Sequence, residues 1–243
     1  MHLQDKVALV TGAAHRVGKA IALELAQAGA HLVIHYHRAE AEAPVTVAEI
    51  QQLGRRALAA RANLAHPAEI DQLFAAVETE FGGLDALVNS ASIMETGDVT
   101  TLSLADWQRS LDINLTAPFL CAQRAARLML ARKGGVIVNI TDGSGLRPWA
   151  RYPAHSVSKA GLIMLTQVLA KALAPKIRVN AVSPGPVMKP PDWEDARWEH
   201  AGQRTLLKRA GSGYDVAHAV RFLIEHDFIT GETLVVDGGG RFA

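Results

Sequence analysis

Seven short apolar runs rich in β-branched residues alternate with stretches of helical spacing along this chain, and that rhythm restricts the folds open to it. KVALV (6–10) ends in Thr11-Gly12. From about Val17 to Ala28 the pattern turns helical, with Ile21, Leu25 and Ala28 on one face, until Gly29 stops it. HLVIHY (31–36) predicts a second strand, 41–53 a helix closed by Gly54, and ALAARANL (57–64) a third strand. Pro67 opens the next helix, to about Phe81. LDALVNSAS (84–92) predicts a fourth strand, and Ser103 caps a long helix that restarts after Pro118 and runs to about Arg132. GGVIVNIT (134–141), a helix over 153–173, IRVNAV (177–182), a helix over 214–225 and ETLVVD (232–237) complete the series. Strands apolar on both faces, alternating with helices, require a parallel sheet covered on both sides. The expectation is one α/β domain spanning 1–243, a doubly wound Rossmann-type sheet with helices on both faces, and a loop region over about 184–212 for substrate.

Bulk properties exclude several classes. The 243 residues suffice for one sizeable core, and 25 basic against 24 acidic side chains leave no field that would draw nucleic acid or an anionic membrane. The single cysteine, Cys121, forms no internal disulfide and reads as a buried small hydrophobe. No apolar run approaches the ~20 residues needed to span a bilayer. MHLQDKVALVTG lacks the pattern of a secretory leader, so a cytoplasmic location is expected. No metal-ligand set stands out.

TGAAHRVG (11–18) lies between the first strand and the first helix. Backbone amides at a helix start bind phosphate, and glycine lets the backbone come close to it. A turn of this kind in this position points to a dinucleotide, with Gly12, His15, Arg16, Val17 and Gly18 as contacts. An NAD site has an acidic residue at the end of the second strand; here IHYHR puts His37 and Arg38 there. A guanidinium suits a 2′-phosphate, and Arg16 is a second candidate, so NADP(H) is the expected cofactor. Asn63 and Leu64, at the end of the third strand, are counted with the same site.

With these motifs the chain resembles the short-chain dehydrogenase/reductases from end to end. TG-x₃-R-x-G stands in the usual glycine-turn place, VNSAS (88–92) is similar to the segment that supports the sheet and touches the cofactor ribose, and Asn114 in DINLTAPF matches the family's helix asparagine. SVSKAGL matches the surroundings of its lysine, SPGPV (183–187) the segment at the nicotinamide amide, and ITGETLVVDGG the C-terminal signature. The resemblance therefore implies cofactor contacts from Asn89, Ser90, Ala91, Lys159, Pro184, Gly185 and Val187, a small-molecule substrate, and a homotetramer built on the long helices. The Arg in the turn and HYHR resemble the pteridine reductase branch, although Ala39 stands where that branch often has Ser.

The family's chemistry uses a Ser, a Tyr and a Lys, with the Asn completing a proton path; the pteridine branch has Asp for the Ser. Asp142, Lys159 and Asn114 fall in those places, but the tyrosine position holds His155, and Tyr152 lies three residues too early. Lys159 would push an imidazole toward neutrality, while an ionised Asp142 would pull it toward the cation. Three readings stay open: His155 as proton donor, Asp142 as proton donor, and an NADP(H)-binding protein that has lost ordinary turnover. Met94 stands where the pteridine branch stacks an aromatic ring on the pterin, and Trp149 and Trp193 are candidates for other flat walls. The substrate expected is a small carbonyl, imine or pterin-like molecule.

Overall fold

The computed structural model describes residues 1–191 and 193–243. All seven strands lie in one sheet, in the order β3-β2-β1-β4-β5-β6-β7, and every adjacent pair is parallel. The strands are β1 (Val7–Val10), β2 (His31–Tyr36), β3 (Ala57–Arg61), β4 (Ala86–Asn89), β5 (Gly135–Ile140), β6 (Ile177–Pro184) and β7 (Thr233–Val236). The helices between them are α1 (Arg16–Gln27), α2 (Glu42–Gln52), α3 (Pro67–Phe81), α4 (Leu104–Leu111), α5 (Ala117–Leu130), α6 (Pro153–Leu173), α7 (Asp195–Gln203) and α8 (Gly213–Glu225).

Two cores, one on each face, account for the continuous apolar strands. Alternate strand residues such as Ala8, Val10, Leu32 and Ile34 meet Ile21 and Leu25 of α1, Ile50 of α2 and Val220 of α8. The intervening ones, Leu9, Val33, Leu87 and Ile137, meet Leu73 and Val77 of α3, Cys121 and Ala125 of α5, and Leu169 of α6. Cys121 is fully buried and its thiol is pushed up to about 12 by that burial, so it packs and does not react.

Several boundaries differ from the sequence-based expectation for local reasons. The third strand ends at Arg61, and Leu64 turns down into the core below. The long helix does not restart after Pro118: Ser103 caps α4 by accepting the Asp106 N–H at 3.1 Å, and a π-helical turn over Asp112–Thr116 joins it to α5. Pro118 has no N–H to offer the carbonyl four residues back, which is the carbonyl of Asn114, so the widened turn forms where that bond is missing. The region after β6 carries a helix, α7, beyond Glu194. No helix among the described residues is long and apolar enough to cross a membrane.

Strand order reverses direction between β1 and β4, so the loops after those two strands part and leave a crevice at their C-terminal ends. Thr11 fixes its floor: its Oγ1 accepts the amides of Ser90 and Ala91 at 2.9 and 3.0 Å.

Candidate active site

A cleft of about 1010 Å³ opens at that crevice. Gly12, His15, Arg16, Val17, Gly18, His37, Arg38, Asn63, Ser90, Ala91, Met94, Asp142, His155, Lys159 and Pro184 line it, so most of the residues expected from the sequence do converge. Leu64 and Val187 instead belong to the cores, and Gly185 packs against Asp237. Asn89 turns away from the cleft: its Nδ2 donates to Asn139 Oδ1 at 2.9 Å, and Asn139 donates on to Thr166 Oγ1 at 2.9 Å, a buried polar ladder that ties β4 and β5 to α6. Trp149 and Trp193 stand outside the lining; Trp149 meets Tyr152 edge-on at 6.1 Å, and Trp193 stacks under the Arg197 guanidinium at 3.9 Å. Tyr152 is the residue before α6 and does not line the cleft.

The glycine turn needs its glycines at two places. Gly12 has φ +66, and a Cβ there would lie 3.0 Å from the Ala91 Cα; a Cβ on Gly18 would strike the Gly12 carbonyl. The two glycines thus let the turn close on itself and on the segment after β4. Arg16 holds a left-handed φ of 55 without being glycine, at a cost of about 1–2 kcal/mol. Its guanidinium donates to the carbonyls of Lys189 at 3.1 Å and Met188 at 3.4 Å, bridging the turn to the segment after β6. Arg38, exposed at the end of β2, offers the cleft a second guanidinium, with His37 beside it.

At the other end of the cleft four side chains meet. The first turns of α6 present His155 and Lys159 on one face, as a four-residue spacing requires. His155 is 2% exposed. Its Nε2 lies 2.5 Å from Asp142 Oδ2 and its Nδ1 lies 2.8 Å from the Ile93 carbonyl, so both ring nitrogens face acceptors. Asn114, fully buried in the π-helical turn, grips the same peptide: its Oδ1 accepts the Ile93 N–H at 2.9 Å and its Nδ2 donates to the Ile93 carbonyl at 2.9 Å. That amide orientation leaves Asn114 Nδ2 3.3 Å from His155 Nδ1. Lys159 donates to the Ile140 carbonyl at 2.9 Å.

Electrostatics orders the cluster. Burial pushes the Asp142 carboxyl up, but the His155 hydrogen bond, the Lys159 charge and the Ser144 hydroxyl outweigh it and hold the group at about 2. Burial lowers Lys159, and Asp142 opposes that shift. Asp142 is thus a carboxylate at neutral pH, and the proton in its short bond to His155 rests on the ring.

His35, Ser92 and the Ile93 carbonyl form part of this site without having stood out in the sequence. A signal for His35 existed: it takes the same inward face of β2 as Val33, where the alternation calls for an apolar residue.

Comparison with known proteins agrees with this geometry. The family described as enoyl-(acyl carrier protein) reductase matches residues 12–240. A 3-oxoacyl-[acyl-carrier-protein] reductase of Synechocystis sp. is 40% identical over 98% of this chain and 97% of its own length. Among solved structures, a blue fluorescent protein from a metagenomic library in complex with NADPH is 34% identical, with TM-score 0.92 over 99% of both chains. A short-chain dehydrogenase from Burkholderia cenocepacia in complex with NADP is 37% identical, with TM-score 0.91 over 99% of both chains. With a seven-stranded doubly wound sheet, the glycine turn at its switch point and end-to-end relatives at this level of identity, the chain belongs to the short-chain dehydrogenase/reductase family of oxidoreductases.

Proposed function

We propose that this protein is an NADP(H)-dependent reductase of a small carbonyl compound in which a His155–Asp142 pair does the work of the family's tyrosine. The observation that carries the reading is the 2.5 Å contact between His155 and Asp142 on the wall of a cleft that also holds Lys159. NADPH in the cleft supplies the hydride. The glycine turn lining the cleft at the start of α1 suits its pyrophosphate, and Arg38, with Arg16 and His37 near, suits its 2′-phosphate. His155 then gives its Nε2 proton to the developing oxyanion, breaking its bond to Asp142 and remaining as the Nδ1–H ring held by the Ile93 carbonyl; Asp142 orients the ring up to that transfer, and Lys159 sets the local charge. Asp142 itself is the weaker candidate for donor, because a carboxyl held at about 2 carries no proton to give near neutrality. Asn114 keeps the ring and the Ile93 peptide in register.

The turn arginine and HYHR favour the pteridine reductase-like branch, whereas the wall that would flank a pterin holds Met94 and no aromatic ring. With a 3-oxoacyl reductase among the relatives, a 3-oxo carbonyl is the substrate class favoured over a pterin. NADPH oxidation against matched panels of 3-oxo thioesters, simple ketones, quinones and pterins tests this. Turnover with none of them would leave a dinucleotide-binding protein without reductase activity.

NADPH should bind more tightly than NADH, and Arg38→Ala should narrow that preference by about tenfold or more, since a charged hydrogen bond contributes about 1.5–3 kcal/mol. Isothermal titration with both cofactors measures it, and equal affinities in the parent would refute the NADP(H) reading.

A homotetramer is the proposed assembly. Val157, Met164 and Val168 form an exposed apolar stripe on α6, Phe119 and Leu130 extend it on α5, and Phe228, Leu234 and Phe242 expose a second patch near β7. Two such surfaces suit two two-fold interfaces. Light scattering at micromolar concentration should give about four times the chain mass of 26.0 kDa; a species of single-chain mass would contradict it.

A further inference from the structure

One buried titratable group on the cleft wall has no part in the proton transfer. His35, 2% exposed in β2, is hydrogen-bonded at both ring nitrogens. Its Nδ1 accepts the Gly12 N–H at 3.1 Å, and its Nε2 lies 3.0 Å from the Ala62 carbonyl, to which only an N–H can donate. Its main-chain carbonyl accepts the Ala13 N–H at 2.9 Å. One residue thus holds two successive amides of the glycine turn and, across the sheet, the end of β3. Ala62 leads into Asn63, whose N–H is bonded by Glu69 at 2.7 Å and whose Oδ1 accepts the Ala65 N–H at 3.1 Å. Gly12 and Asn63 both line the cleft, on either side of His35.

We propose that His35, as its neutral Nε2–H tautomer, is a positioning residue for the dinucleotide, clamping the turn after β1 to the turn after β3 so that both meet the cofactor in a fixed relation. The proposal rests on the NADP(H) reading above.

Only that tautomer satisfies both partners. The other neutral form would aim an N–H at the Gly12 N–H and leave the Ala62 carbonyl unpaired, and the imidazolium would keep the first fault. Gly12 itself is constrained, since at φ +66 even a Cβ there would lie 3.0 Å from the Ala91 Cα. The surroundings oppose a charged ring as well. His37 lies just beyond the end of the same strand, His15 and Arg16 sit on the turn, and Arg61 of β3 donates to the His37 carbonyl at 3.3 Å. Glu69 at the start of α3 is the facing acid, and it is engaged with the Asn63 amide and with His66. Burial is the main cause that lowers the ring to about 4; the Ala62 bond opposes this and the His37 charge adds to it.

The two bonds can be separated by substitution, because an Asn amide oxygen superposes on Nδ1 and a Gln amide nitrogen on Nε2. NADP⁺ affinity would be measured by titration calorimetry for the parent, His35→Leu, His35→Asn and His35→Gln, each checked for a cooperative melt. His35→Leu should weaken NADP⁺ by about 10- to 100-fold, as expected for unsatisfying a buried amide, and His35→Asn, which restores only the Gly12 side, should recover part of that loss. His35→Gln, which restores only the Ala62 side, should likewise fall between the leucine variant and the parent. Long-range ¹⁵N–¹H spectra of the parent at neutral pH should show the proton on Nε2. Parent-like NADP⁺ affinity in the leucine variant, full recovery by asparagine or by glutamine alone, or a proton on Nδ1 would overturn the clamp. A folded parent that binds no NADP⁺ would instead overturn the cofactor reading and the proposal with it.

Discussion

His155→Ala is expected to slow NADPH-dependent reduction by about 10²–10⁴-fold, the usual contribution of a general acid, while NADP⁺ still binds. The ring lies 2.5 Å from Asp142 and 2.8 Å from the Ile93 carbonyl, so its removal takes away the proton donor and leaves a partly buried carboxylate without its partner. Asp142→Asn should lose rate by a different route, since the amide cannot stabilise a cationic ring. Because the two act as one unit, the double variant His155→Ala/Asp142→Asn should be little slower than the worse single one. His155→Tyr, which installs the side chain that the family resemblance leads one to expect there, should recover reduction of ordinary ketones. Single-turnover kinetics isolates the chemical step from cofactor exchange. An alanine variant that transfers hydride as fast as the parent would remove the imidazole from the mechanism.

How much of this was legible beforehand depends on the range of the interactions involved. Strand and helix order was legible because both faces of the sheet are covered, which leaves apolar runs such as VALV and GVIVNI unbroken. The register of α6 was legible because SVSKAGL anchors Lys159 and a four-residue step then fixes His155. The π-helical turn was not, since Pro118 marks a disturbance without saying on which side the helix widens. Trp149 and Trp193 were expected to face the substrate, but each is held by a neighbour outside the cleft lining, Tyr152 and Arg197, through contacts with no sequence signature. The place of Arg16 in the turn points to a phosphate; its bonds to the carbonyls of Met188 and Lys189 join segments 172 and 173 residues apart and have no local trace. Leu64 is the reverse case: the apolar run continues in sequence past Arg61, where the strand ends, and its side chain enters the core and not the cleft.

His35 also makes acid stability a second, independent measurement. Its ring is lowered from 6.5 to about 4 by burial, so between those values the unfolded chain takes up a proton that the native protein refuses. A state that binds fewer protons than its competitor is destabilised as pH falls. The contribution is therefore fully present above pH 6.5 and is lost progressively down to about 4, with a total of about 3 kcal/mol. Asp142 acts in a lower window: its carboxylate contributes above the ordinary carboxyl range and is lost as pH falls through about 2. The two limbs are thus separable. Urea midpoints of the parent should fall steadily from pH 6.5 to 4.5, whereas those of His35→Asn, which keeps an acceptor for the Gly12 amide but has nothing to titrate, should stay nearly level over the same span. The loss should register first as hydrogen exchange at Gly12, because a proton on Nδ1 breaks that bond before any other. A parent whose midpoint does not change between pH 6.5 and 4.5 would mean that the ring is not held neutral by its burial, and the clamp at the glycine turn would lose its physical basis.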